Sequence, residues 1–531
     1  MYVSELRAKN FRNLEGSFPI CSPLAVLVGE NTTGKSNVID ALRTVLEPEA
    51  GPRARHWLRE SDFRQTAEGK GDADELDLEV VLSGLDAAAQ SRMVTCRTGS
   101  KDAPDTARIR LRAKLGADGR IQTRWIGGDG EAGEPEPHAR EAVRFVYLHP
   151  LRDAASDLRP GRDNRLVPLL STLAPANHDD RNAIEEVARK ANEALDEITA
   201  IQTARTHLAT RLGGMTGSGR FTQKSGLVFA DPRFERVVGT LRAQIGQFAA
   251  LEMEQNGLGY NNLLYMAVLL AAIANAPSDT EPTRRVLLVE EPEAHLHPQL
   301  QELPMHFLDG QAASSTQVIV TTHSPNFAAS AQVDRLTVMA RATDAELPKG
   351  RTPRDFGLDP KRRKHLRSFL DVTKASLFFA RAVILVEGVA EQLLVPAIAA
   401  HLKRPLAPSG VSVINVDGVA FPPFMDLFGP GKLPYRLAVI SDGDRQAADD
   451  DTDDEPEELS ARVQARRPRH RERADPSSGA DPRMGPRTGR ELRDHVRGAR
   501  RGQGGYPLAT AARSGCPRSE CGAYVRGRAS R

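Results

Sequence analysis

Leu27-Val28-Gly29-Glu30-Asn31-Thr32-Thr33-Gly34-Lys35-Ser36-Asn37 has the form G-x-x-x-x-G-K-S. An apolar run, Leu24 to Val28, leads into it. A segment with Val38, Ile39, Ala41, Leu42, Val45 and Leu46 at helical spacing leaves it. Strand, glycine-bounded loop and helix in that order read as a phosphate-binding loop. Gly29 and Gly34 let successive backbone N–H groups turn toward one centre, at which the following helix also points its positive end. Lys35 adds a full charge for the β- and γ-phosphates, and Ser36 offers a hydroxyl to Mg²⁺. Asn31 and Asn37 lie in the same cradle. The competing reading is a glycine-rich turn beside an ordinary helix.

A chain of 531 residues has length for two or more domains and a large core. Its net charge of +2 averages over very uneven segments and says little. No run of about 18 apolar residues occurs. Met1-Tyr2-Val3-Ser4-Glu5 lacks the basic-then-apolar order of a signal peptide, so a soluble cytoplasmic protein with no membrane partner is expected. Cys21, Cys96, Cys516 and Cys521 are too scattered for a disulfide framework, and the last two have no second pair with which to form a zinc site.

Residues 1 to 46 read as a strand from Tyr2 to Ala8, a turn at Asn10-Phe11-Arg12-Asn13, a second strand, then the loop and helix, all opening one ATPase sheet. Residues 75 to 83 and 107 to 115 alternate apolar and charged side chains, the period of half-exposed antiparallel strands, so part of that sheet is expected to be antiparallel. Val143 to Leu148 is a buried-strand candidate. Residues 180 to 212 predict a polar helical arm, residues 229 to 248 an amphipathic helix, and Leu263 to Ala274 a buried apolar helix.

Arg285 to Val289 is an apolar strand that delivers Glu290, Glu291 and Glu293 at its carboxyl end, where ligands bind in open α/β sheets. Glu290 is placed to hold Mg²⁺, and Glu291 to orient and deprotonate an attacking water. A solvated acidic turn is the plainer alternative. The next strand, Thr316 to Thr322, brings His323-Ser324-Pro325 to the same edge, where the histidine can sense or polarise a γ-phosphate.

A second site follows the same logic. Ala382 to Val386 is an apolar strand ending in Glu387-Gly388, and Leu437 to Ile440 ends in Ser441-Asp442-Gly443-Asp444. Parallel pairing would bring Glu387, Asp442 and Asp444 together, with Glu391 one helical turn beyond. Carboxylates so crowded repel unless a cation sits among them, which suits Mg²⁺ or Mn²⁺ and the cleavage of phosphodiesters. Asp417-Gly418 reads as a turn.

These pieces resemble, in order and kind, the OLD (overcoming lysogenisation defect) family: an ABC-type ATPase followed by a Toprim domain. The residues that carry the resemblance are Gly29 to Asn37, Asn256-Gly257-Leu258-Gly259-Tyr260-Asn261-Asn262-Leu263, Glu290 to Pro298, Thr322 to Pro325, and the Glu387 and Asp442-Gly443-Asp444 pattern. The resemblance covers roughly residues 1 to 445. It implies an α/β fold: an ABC-type P-loop ATPase with a partly antiparallel sheet and a helical arm, then an incomplete Toprim domain on a parallel sheet. The expected boundaries are 1–345 for the ATPase with its helical insertion near 180–248, 346–380 for a linker, 381–445 for partial Toprim and 446–531 for a tail. It also implies that Gly257 and Gly259 of one protomer close over ATP held by another in a homodimer or higher assembly. DNA and a helicase are the other partners implied, and defence against phage the setting.

The basic run Lys361-Arg362-Arg363-Lys364 reads either as a solvated face or as a phosphate contact. After Arg445 the chain is acidic, then rich in Arg, Gly, Pro and Ser, with no Lys, Ile, Phe or Trp. Such a segment cannot bury a core, so disorder is expected. It reads either as a charged regulatory tail or as the product of a shifted frame. The expected function is an ATP-hydrolysing DNA endonuclease. A non-cutting DNA-repair or DNA-clamp ATPase and a transporter ATPase are the competing readings.

Overall fold

The computed structural model describes residues 1–441 apart from 47–57, 66–72, 100–104, 131–132, 149–157, 162–163, 177, 217–226, 228–230, 247–250, 253–254, 275–283, 313–315, 344–345 and 419–420. Strands β1 (Tyr2–Phe11), β2 (Leu14–Pro19), β3 (Leu24–Val28), β4 (Glu75–Ser83), β5 (Ala107–Leu115), β6 (Ile121–Gly127) and β7 (Val143–Leu148) come first. They are followed by β8 (Gln244–Ile245), β9 (Leu251–Glu252), β10 (Arg284–Glu290), β11 (Thr316–Thr321), β12 (Leu336–Ala340) and β13 (Lys349–Arg351), and then by β14 (Ala382–Val386), β15 (Val411–Asn415) and β16 (Arg436–Ile440).

The antiparallel strands do not extend the ATPase sheet, as their sequence suggested. They form a sheet of their own, in the order β2-β1-β4-β5-β6. The reason is visible in β5, where buried and half-exposed residues alternate along Ala107–Leu115. One face is apolar and the other carries Arg108, Arg110 and Arg112 opposite Glu79 and Asp77. A strand with a charged face cannot enter a sheet covered on both sides.

The second sheet runs β13-β12-β3-β11-β10-β7, parallel except for β13. β3 is apolar and buried throughout, and β11 is buried along all but its first residue, as strands covered on both faces are. Alternate residues feed two cores. Ala25, Leu27, Val286, Leu288 and Ile319 pack with the antiparallel sheet and the helix α1 (Lys35–Leu46). Leu24, Val26, Val28, Leu287, Val289, Val318 and Val320 pack against residues of the helices Leu258–Ala274, Pro298–Gln311 and Pro325–Ser330 on the other face. Helix α1 therefore lies between two sheets.

Gln317, fully buried, joins those sheets. Its Oε1 accepts from Val3 N at 2.8 Å while its Nε2 donates to Val3 O at 2.8 Å and Cys21 O at 3.1 Å. The polar arm is a pair of helices, Asp179–Asp196 and Thr199–Thr216. The amphipathic helix expected over 229–248 is reduced to Phe234–Gly239, followed by the short pair β8 and β9. Only Phe234, Val238 and Gly239 of that helix are buried, too little apolar surface to prolong it.

The third sheet, β15-β14-β16, is wholly parallel. β13 of the ATPase sheet comes from the stretch 346–380 that the resemblance gave to a linker. The basic run forms the helix Pro360–Phe369, and its arginines hold the surrounding structure together. Arg362 pairs with Asp426, while Arg363 (3.4 Å) and Arg367 (2.6 Å) pair with Asp334. Lys361 and Lys364 remain exposed.

Candidate functional site

Strand order creates the first site. β11 runs between β3 and β10, so the loops leaving all three strands meet at one carboxyl edge. Gly29 leaves β3 with φ 147°, and a Cβ there would lie 2.3 Å from Met339 O. Only glycine fits that position. Gly34, at φ 85°, turns the chain into α1. The Lys35 ammonium donates to Gly29 O at 2.7 Å and Glu30 O at 2.9 Å, which holds it across the loop. Burial lowers the Lys35 pKa to about 8, against the raising influence of Glu291, Glu293 and Glu30. A buried cation facing the first amides of a helix, which have no acceptor within that helix, suits a polyphosphate.

The turn between β1 and β2 braces the loop, a role that sequence reading did not assign to it. Asn13 Nδ2 donates to Thr32 O at 3.0 Å, and Asn13 Oδ1 accepts from Asn37 Nδ2 at 2.7 Å. Arg12 reaches Asn37 Oδ1 at 2.8 Å, Asp40 at 2.6 Å and Asp62 at 2.8 Å. The Asn37 side chain thus faces Arg12 and Asn13. Its sequence signal was Asn10 and Arg12 in a left-handed turn, a conformation that the run Asn10-Phe11-Arg12-Asn13 hints at only weakly.

Glu290 is buried at the end of β10. Its Oε1 accepts from Tyr147 OH at 2.7 Å, and the Ser36 hydroxyl lies near enough to the same carboxylate to help hold it charged. Ser36 and Glu290 are therefore neighbours, the donor pair that a nucleotide-bound Mg²⁺ would use. Burial raises the Glu290 pKa, offset in part by those two hydroxyls. Arg43 stacks on the Tyr147 ring at 3.8 Å. Tyr147, two residues before the chain leaves β7, carried no signal in the sequence beyond its place in an apolar run.

Glu291 follows at φ 47°, a left-handed conformation unusual for a residue with a Cβ. Its Oε1 lies 3.3 Å from His323 Nε2, and both side chains are about one-third exposed (36% each). The acid and the histidine that sequence placed at one edge are thus in contact. Glu293 is buried and accepts from Thr322 Oγ1 at 2.5 Å and His323 N at 3.0 Å. Burial raises its pKa, countered by those hydrogen bonds.

Gly257 and Gly259 lie at the start of the helix Leu258–Ala274. A Cβ on Gly259 would lie 2.6 Å from His295 O, so the helix packs on the segment after β10. Asn262 Nδ2 donates to Ala294 O at 3.2 Å, while Leu258 and Tyr260 stay exposed.

At the second site β14 and β16 pair in parallel with Val386 opposite Ile440, which sets Glu387 level with Ser441. Ser441 Oγ donates to Glu387 Oε2 at 3.1 Å. Glu391 lies in the first turn of the helix Val389–His401. Asp442 and Asp444 lie outside the described residues, as do Cys516, Cys521 and the tail. Among the described residues no three Asp, Glu, His or Cys side chains converge on a metal position. Asp417 is the turn expected, at φ 53°, and pairs with the buried Lys374 at 2.8 Å.

A P-loop site on one sheet and a glutamate-tipped parallel sheet after it define an ATPase joined to a Toprim-type domain. Family profiles agree: one described as AAA ATPase domain matches residues 155–328, and one described as overcoming lysogenization defect protein-like, TOPRIM domain, matches residues 378–444. Over these two stretches the chain is similar to OLD-family proteins, and it is an enzyme with an ATPase domain.

Among its relatives is the OLD nuclease of Thermus scotoductus, 24% identical over 399 residues, covering 74% of this chain and 72% of that protein. The Old nuclease of Escherichia phage P2 is 23% identical over 459 residues, covering 78% and 73%. YbjD of Escherichia coli K12, described as uncharacterized, is 23% identical over 460 residues, covering 84% and 80%. A solved Smc head bound to the C-winged helix domain of ScpA aligns with a TM-score of 0.39 at 15% identity, over 66% of this chain and 98% of that one. No helix among the described residues is long and apolar enough to cross a membrane.

Proposed function

We propose that this protein hydrolyses ATP at the first site and cuts DNA phosphodiester bonds with Mg²⁺ or Mn²⁺ at the second, in the service of phage defence. The observation that supports it most is the 3.3 Å approach of His323 to Glu291 beside a complete phosphate loop. Gly29, Asn31, Gly34 and Lys35 would hold the polyphosphate. Ser36 and Glu290 would hold Mg²⁺, which supplies charge neutralisation between the phosphates. Glu291 takes a proton from the attacking water, and His323 faces the terminal phosphate. Gly257 and Gly259, at the helix start beside the exposed Leu258 and Tyr260, would close the ATP site of a second copy. Glu387 and Glu391, with Asp442 and Asp444, would hold the metal that activates water at the phosphodiester.

The test has two arms. ATP hydrolysis should disappear in Glu291→Gln while nucleotide still binds. Plasmid nicking with Mg²⁺ or Mn²⁺ should disappear in Glu387→Ala. A native chain that hydrolyses ATP and never nicks DNA would support the second reading, a DNA-clamp ATPase.

A further inference from the structure

Glu293 is a buried acid at the ATP edge, and the mechanism above does not use it. Its Oε1 receives two donors from the loop after β11, Thr322 Oγ1 and His323 N. Its Oε2 meets no hydrogen-bonding partner among the described residues. Thr322 Oγ1 in turn accepts from Ser324 N at 3.0 Å, which closes the loop around His323. A second brace lies alongside. Gln301 Nε2 donates to Leu296 O at 3.1 Å, and Gln301 Oε1 accepts from Ser324 Oγ at 2.6 Å. The segment 291–296 is thereby tied to the His323 loop on one side. On its other side it carries the turn at Gly257–Asn262, through the Asn262 contact with Ala294 and the close approach of Gly259 to His295.

We propose that Glu293 is a positioning residue: it holds His323 against Glu291 and links that placement to the Gly257–Asn262 turn. This rests on the reading of the first site as an ATPase. A carboxylate buried away from water is costly unless it makes bonds, so its presence beside two partly exposed reacting groups calls for a role. Glutamate fits that role because one oxygen can take both donors. Displacing a reacting group by about 1 Å costs on the order of a hundredfold in rate. Glu293→Ala should therefore lower kcat for ATP about a hundredfold with KM within about threefold, whereas Glu293→Gln, which keeps an acceptor oxygen, should retain most of the rate.

Hydrogen exchange on the full chain provides a readout independent of hydrolysis. Glu293→Ala should speed exchange in peptides spanning 322–326 and 257–262 and leave β3 peptides unchanged; Glu293→Gln should do neither. Unchanged exchange at 322–326 in Glu293→Ala, or equal losses of rate in the Gln and Ala variants, overturns the proposal. Should Glu293→Ala loosen β3 as well, Thr322→Val removes the same bond from the other partner and decides by the same criteria. A wild-type chain with no ATP hydrolysis but the expected exchange pattern refutes the ATPase reading and leaves the positioning role standing.

Discussion

Lys35 shows what burial does to a charge that awaits a ligand. Its pKa, lowered to about 8 from the usual 10.5, means that the free protein sheds this proton well before an unfolded chain does. Between about pH 8 and 10.5 the unfolded state binds more protons, so stability from this group rises with pH across that window. Bound phosphate needs the ammonium, so nucleotide affinity should fall as pH rises above about 8. A Kd for ATP that stays constant from pH 7 to about 9.5 would exclude this account. Glu291→Gln should cost about 10² to 10⁴ in kcat with nucleotide binding nearly unchanged, as measured by fluorescent-nucleotide titration beside turnover. Tyr147→Phe removes one hydroxyl from Glu290. It should weaken Mg²⁺-dependent nucleotide binding by about 1 kcal/mol, roughly fivefold, with binding in EDTA unaffected.

At the scale of elements, α1 depends on two sheets that meet through Gln317. Gln317→Leu would leave Val3 N, Val3 O and Cys21 O without their buried partner. Each such group costs about 1–3 kcal/mol, partly recovered by relaxation, so a loss of about 3 kcal/mol is expected. Urea unfolding followed by fluorescence measures it; a shift below about 0.5 kcal/mol would show that the sheets do not rely on this side chain. Strand identity was easy to read where pattern and burial agree. The run of apolar residues in β3 and β10 announced strands covered on both faces, and Glu290 and Glu291 at the end of β10 marked the ligand edge. That β1 and β2 leave the ATPase sheet was not readable, because alternation reports a half-exposed strand and not which sheet it joins.

Across the described molecule, the first site touches the Toprim-type domain. Arg381, beside β14, pairs with Glu30 of the phosphate loop at 2.8 Å. A cavity of about 130 Å³ lies there, lined by Glu30, Thr33, Arg341, Arg381 and Tyr435 among others. Both partners of the ion pair are partly exposed, so it adds no more than about 1 kcal/mol to stability. Its expected importance is in coupling. ATP binding should slow hydrogen exchange in a peptide covering Ala382–Val386, and Arg381→Ala should abolish that response while moving the unfolding midpoint little. A response that survives Arg381→Ala would place the coupling elsewhere.

What could be read from the chain alone was whatever chemistry forces into a short stretch. Gly29 to Ser36 carries its glycines, lysine and hydroxyl within eight residues, the grouping a phosphate grip calls for, and Glu290 with Glu291 ends an apolar run. The contacts between distant segments came only with folding. Asn13 against Asn37, Tyr147 against Glu290, Glu293 against His323 and Glu30 against Arg381 are pairs separated by 24, 143, 30 and 351 positions. No periodicity spans such gaps. Parallel strand order, with β11 between β3 and β10, is what brings the ATP-site partners to one edge.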